Sequence, residues 1–166
     1  MGLIDGILQE LEQESHTTRR VLERVPDNKL AWRPHEKART LGELALHVAI
    51  VPGSVAELVA TQSTVQAPQF TDPSPKSTSE LIPALDESIA KAKKVLGGMD
   101  DTALMATWRM MQGERELFAV PRVALLRSMM LNHWYHHRGQ LTVYLRELGV
   151  SVPSIYGPSA DENPFA

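Results

Sequence analysis

The 166-residue chain contains no cysteine. Disulfides and thiolate metal ligands are therefore excluded, no protein thiol can act as a nucleophile, and any transition metal must be held by histidine, carboxylate or water. Aromatic residues make up only 5% of the chain, the formal net charge is −3, and no run of lysine and arginine occurs. Together these leave no basic, aromatic-studded footprint for nucleic acid. The longest apolar region, residues 41–60, is interrupted by Glu43, His47, Pro52, Gly53 and Glu57, which argues against a comfortable membrane span. The amino-terminal MGLIDGILQELEQES lacks the basic region and cleavable apolar core of a secretory signal. Gly2 invites a myristoylation reading, but position 6 is Gly rather than Ser or Thr, so that motif fails. The cytoplasm is the expected compartment.

What is present is helical periodicity. A hydrophobic share of 43% and a charged share of 22% are ordinary for a chain of the length at which one core forms comfortably, so residues 1–166 read as a single domain. Leu3, Ile4, Ile7, Leu8, Leu11, Thr18 and Leu22 fall on one stripe and predict a first helix over about residues 3–23. Thr40-Leu41-Gly42-Glu43 is a capping box opening a second helix. Its apolar face is Leu41, Leu44, Ala45, Val48, Val51, Val55 and Leu58, and Pro52-Gly53 is expected to kink or break it. Residues 61–76 read as a loop, and Ser77-Thr78-Ser79-Glu80 as a second capping box for a helix ending near Leu96 at Gly97-Gly98. TWRMMQGERELFAVP, with Gly113 at its centre, predicts a hairpin. Pro121 suits the first position of a last helix running to about Leu148. The proline-bearing tail VSVPSIYGPSADENPFA is expected to lie extended over the helices. The fold class this predicts is all-α: an antiparallel four-helix bundle with a small hairpin before its last helix, an architecture that builds ligand and metal sites from facing helices.

Three of the six histidines, His133, His136 and His137, crowd into LNHWYHHRGQLTVYLREL. At about 100° per residue, His133 and His137 lie about 40° apart on one face. They share the apolar seam of Leu126, Met130, Leu141 and Tyr144. Two imidazoles at i, i+4 can grip one ion from one helix. His133 with His136 at i, i+3 is also sterically allowed, so spacing leaves open which two are ligands. Three histidines plus water form a familiar open site for zinc. His47, at the edge of the second helix's apolar face, is the best third candidate. His16 points away from its stripe, and His35 sits in the irregular WRPHEK connection. Met129-Met130 and Trp134 read as core packing.

The segment PRVALLRSMMLNHWYHHRGQLTVYLRELGVSVPSIYGPSADE, with its His, three residues, His and Arg-Gly-Gln, resembles the signature end of the DinB-like family. WRPHEKARTLGELALHVA resembles that family's other hallmark, at the start of its second helix. The resemblance spans most of the chain. It implies a four-helix bundle, commonly a homodimer, with one divalent transition metal (Zn, Ni or Fe) held by His47, His133 and His137. Arg138-Gly139-Gln140 then acquires a physical reading. Gly139 removes a side chain where another helix could approach, at a cost of about 1 kcal/mol relative to Ala. Gln140 could support a ligand or touch substrate, and His136, Arg138 and Tyr156 are further candidates for the pocket or for supporting the ligands.

Three neutral imidazoles leave a dication strongly Lewis-acidic, able to activate a thiol or water. The superfamily includes bacillithiol transferases and mycothiol-dependent isomerases. The resemblance therefore implies an enzyme of the thiol S-transferase-like type, with a small thiol as cosubstrate. The alternative is a non-catalytic, stress-response protein with a structural metal, which a tail ligand such as Asp161 or Glu162 would close.

Overall fold

A computed structural model of the protein describes residues 2–67 and 71–165. The stripe Ile4, Ile7, Leu11, Thr18, Val21 and Leu22 is buried along α1 (Leu3–Leu22), with Glu14 among them; Leu3, expected on the stripe, is exposed. α2 (Leu41–Thr61) begins at the predicted box: the Thr40 hydroxyl accepts from the Glu43 amide, and the Glu43 carboxylate accepts from the Thr40 amide.

Of the kink or break expected at Pro52-Gly53, the break does not occur: α2 continues because the disrupted hydrogen bonds are remade by other helices. Pro52 cannot donate to Val48 O, the carbonyl four residues back; the Trp134 indole N–H donates to it instead, at 2.8 Å. The Gly53 amide donates to Ser88 Oγ at 2.8 Å, and that hydroxyl donates to Ile50 O at 3.1 Å. A Cβ on Gly53 would stand 2.6 Å from Ser88 O, so glycine is what lets α3 (Leu81–Leu96) approach so closely. The uninterrupted α2 is long and apolar enough, by length and composition, to cross a membrane; half of that stretch is buried against the rest of the protein, as in a core helix.

α3 is preceded by a 3-10 turn, Thr78–Glu80, whose cap differs from the expected box. Ser77 Oγ accepts from the Ser79 amide, while the Glu80 carboxylate accepts from Lys76 rather than closing on Ser77. A short helix absent from the sequence reading, α4 (Asp101–Met105), is capped by Asp100. The predicted hairpin is present as β2 (Thr107–Gln112) and β3 (Arg115–Pro121), turned by Gly113 at φ +61°. The stretch 61–76 is not all loop: β1 (Thr64–Gln66) lies parallel to β2, giving the order β1-β2-β3. Three residues are too few to show a period-2 pattern from sequence.

The last helix runs from α5 (Arg122–Leu125), with Pro121 as its cap, through a π-helical segment (Leu126–Asn132) into α6 (His133–Glu147). Gly149, at φ +71°, turns the chain out of it. Helices α1, α2, α3 and α6 pack on one another around one core containing Leu11, Leu44, Val48, Leu85, Trp134 and Leu141.

Beyond Gly149 the tail is held by polar contacts. Asp161 pairs with Arg146, and Glu162 with Arg20 and Arg24. Their carboxylates also accept from the Val152 amide at 2.8 Å and the Ser154 amide at 2.9 Å. The hydrogen bond from Arg146 and that from Val152 hold Asp161 below the usual carboxylate range. The Ser154 amide, then Arg20 and Arg24, do the same for Glu162. A depressed carboxylate contributes stability above its unfolded pKa and loses it as pH falls through its folded value. Hydrogen-exchange protection at Val152 and Ser154 is therefore expected to drop below about pH 4 while α3 stays protected. Tail protection that tracks α3 through that range would refute the carboxylate anchor.

Candidate metal centre

His47 comes from the second turn of α2 and His133 and His137 from the start of α6, and each position has a local cause. The remade hydrogen bonds at Pro52 keep α2 helical past His47, and the one from Trp134 ties α2 directly to the turn that carries both other histidines. The π-helical turns immediately before His133 rephase the helix, as such segments do beside functional sites.

The three rings meet. His47 Nε2 and His133 Nε2 are 3.1 Å apart, and ring centroids are separated by 4.5 Å for His47–His137 and 4.4 Å for His133–His137. One nitrogen from each ring lies within 4.8 Å of the others. The Gln140 side-chain oxygen lies 2.7 Å from His137 Nδ1, so the Nδ1–H donates there and Nε2 keeps its lone pair.

All three imidazoles are held neutral. Burial first, then the positive charge of Arg39 and the neighbouring rings, lowers His47 from 6.5 to about 4, against a small opposing effect of Asp72. Burial also lowers His137 to about 4, assisted by His133 and Arg39 and opposed by the Gln140 hydrogen bond. His133 is lowered by burial, Arg39 and His136. Neutral imidazole is the form that binds metal.

The donor set fits a divalent ion. Two nitrogens each about 2.1 Å from one tetrahedral ion lie about 3.4 Å apart, close to the 3.1 Å between His47 and His133. Among the described residues, no carboxylate joins the three-histidine cluster. Asp161 and Glu162 are engaged by arginines. On one side of the triad lies a cavity of about 370 Å3 walled by Ile50, Val51, Val55, Leu58 and Met129.

The other predicted site residues divide. Gln140 supports His137 as described. His136 is exposed, its ring 5.0 Å from that of His137. His16 and His35 are exposed and outside the cluster. Gly139 is exposed, and a Cβ there would touch nothing, so close helix approach does not explain it. Met129, expected in the core, lines the cavity instead, whereas Met130 and Trp134 are fully buried.

Arg138 and Tyr156 do not line the cavity. Arg138 is only 1% exposed and faces α1. It pairs with Glu14 at 2.6 Å and donates to Thr18 Oγ1 at 3.1 Å. The rings of Tyr135 and Tyr156 flank it, centroids 5.1 and 5.3 Å away. Tyr156, though largely exposed, sends its hydroxyl to Glu14 at 3.0 Å. Position 138 is about 100° around the helix from His137, so it meets a different neighbour. Two residues missed by sequence reasoning matter here. Glu14 sits at a core position of the α1 stripe, a legible signal. Arg39, whose charge reaches all three histidines, carries no motif.

Fold and site define a class: mostly helical proteins that gather three neutral histidines between two packed helices. The chain belongs to the DinB family, whose model matches residues 3–164. It is 31% identical over 164 residues to the uncharacterized protein YrdA of Bacillus subtilis strain 168, covering 96% of this chain and 91% of that one. A DinB-like protein from Bacillus cereus ATCC 10987 superposes with a TM-score of 0.72 at 24% identity, over 92% of this chain and 97% of that one. YfiT from Bacillus subtilis is described as a probable metal-dependent hydrolase with an unusual four-helix bundle topology. It superposes with a TM-score of 0.66 at 18% identity, over 89% of each chain.

Proposed function

We propose that the protein is a metal-dependent enzyme of the thiol S-transferase-like type, with one divalent ion on His47, His133 and His137. Its antiparallel four-helix bundle would be a cytoplasmic homodimer, which sedimentation at micromolar concentration would test. One observation carries the catalytic reading over a structural metal: the histidine cluster borders an apolar cavity large enough for a small substrate, and the tail acids Asp161 and Glu162 are bound elsewhere.

When bound, the ion supplies Lewis acidity, which lowers the pKa of a thiol or water and polarises a substrate. The chain's own residues do the rest. Gln140 orients His137 through Nδ1, burial keeps the three rings unprotonated, and the aliphatic walls make one side of the reacting centre apolar. Among the described residues, no Asp or Glu joins the three histidines as a further ligand. The family relationship and the description given to YfiT support metal dependence, and a small thiol or water is the nucleophile.

Cobalt-substituted protein titrated with a small thiol is expected to develop a sulfur-to-metal charge-transfer band that His137→Ala abolishes. A cobalt spectrum unmoved by thiols and by small anions alike would favour the structural metal.

A further inference from the structure

Arg39 belongs to two cavities that meet at the histidines. The first is the aliphatic one of about 370 Å3. The second, about 330 Å3, also reaches His137 and is lined by Lys37, Arg39, Asp72, Gln140 and Tyr144. One is apolar, the other carries two cations. The Arg39 backbone is tied to the last helix, its carbonyl accepting from the Tyr144 hydroxyl at 3.3 Å, and at its guanidinium Asp72 Oδ1 lies 2.8 Å from Nε. That Nε is nevertheless buried with no acceptor in hydrogen-bonding alignment. Asp72 thus pairs with Arg39 at ion-pair distance without satisfying this donor, whereas a carboxylate entering along the guanidinium plane can do both.

We infer that the site takes an amphiphilic carboxylate, its apolar body along Ile50, Val55, Leu58 and Met129 and its carboxylate on Arg39, displacing Asp72. This rests on the proposed reaction centre at the triad, since it names the substrate class that would span it. Asp72 is a competitor built into the chain: its carboxylate holds the seat until a better-aligned one replaces it. Lys37 adds charge at the same end. A neutral apolar molecule would fill only the first cavity, and a short carboxylate only the second.

The test is calorimetric titration of chelator-treated protein with octanoate, acetate and 1-octanol, so that no carboxylate can bind through an ion. Octanoate is expected to bind about tenfold or more tighter than acetate, through its buried chain. Arg39→Gln should weaken octanoate by about tenfold and leave 1-octanol unchanged. Asp72→Asn should tighten octanoate several-fold. Octanoate binding that is insensitive to Arg39→Gln, or no tighter in Asp72→Asn, overturns the inference. Should Arg39→Gln fail to fold, the exposed Asp72 substitution decides alone. Metal content measured on the same preparations separates the two readings. A chain that binds octanoate as described but no metal loses the proposed reaction and keeps the carboxylate site. A chain that binds metal but not octanoate loses the carboxylate site only.

Discussion

Replacing His137 by alanine is expected to reduce bound divalent metal from about one ion per chain to nearly none. His137 is the most buried of the three histidines and the one whose second nitrogen is committed, to Gln140. Its removal leaves His47 and His133, two ligands with no described carboxylate to complete the set. Loss of a supporting hydrogen bond alone costs about 10–100-fold in metal affinity, which is the effect expected of Gln140→Ala; loss of a ligand costs more. His16→Ala, an exposed histidine outside the cluster, serves as control. Elemental analysis and chelator competition measure both. Equal metal in His137→Ala and His16→Ala would rule out the three-histidine assignment.

Arg138→Met is expected to destabilise the protein by about 3–5 kcal/mol, lowering Tm by roughly ten degrees. The substitution keeps side-chain length but strands the Glu14 carboxylate in a buried position with only the Tyr156 hydroxyl as a side-chain partner. The penalty is the desolvation of an unpaired charge, not the loss of attraction as such. Pairing Arg138→Met with Glu14→Leu should therefore restore most of the stability, because well-packed apolar replacements of buried ion pairs are often neutral. Chemical denaturation of the two single variants and the double variant closes the cycle. A single-variant cost below about 1 kcal/mol would show that the pair does not pin the last helix to the first.

Much of this was readable in the residues. Apolar stripes located α1 and α2, capping and glycine signals bounded α3 and Pro121 with Gly149 the last helix, all to within a few residues, the Thr40–Glu43 box set the start of α2, and the turn at Gly113 set the hairpin. The i, i+4 spacing put His133 and His137 on one face of α6, and absent cysteine confined any metal to nitrogen and oxygen ligands. These are properties of a chain's own period and chemistry, so they need no neighbour.

Tertiary structure decided the rest, because the deciding partners lie far apart in the chain. An interior proline kinks or breaks a helix, yet α2 continues past Pro52 because Trp134 and Ser88 remake its hydrogen bonds. Arg138 and His137 are adjacent in sequence, but one faces Glu14 and the other His47, since successive residues point about 100° apart. Tyr156, a candidate for the pocket or for supporting its ligands, caps the Arg138–Glu14 pair. Arg39 follows no pattern at all; only the packing of its loop against α6 and Asp72 sets its charge beside three histidines that burial keeps neutral.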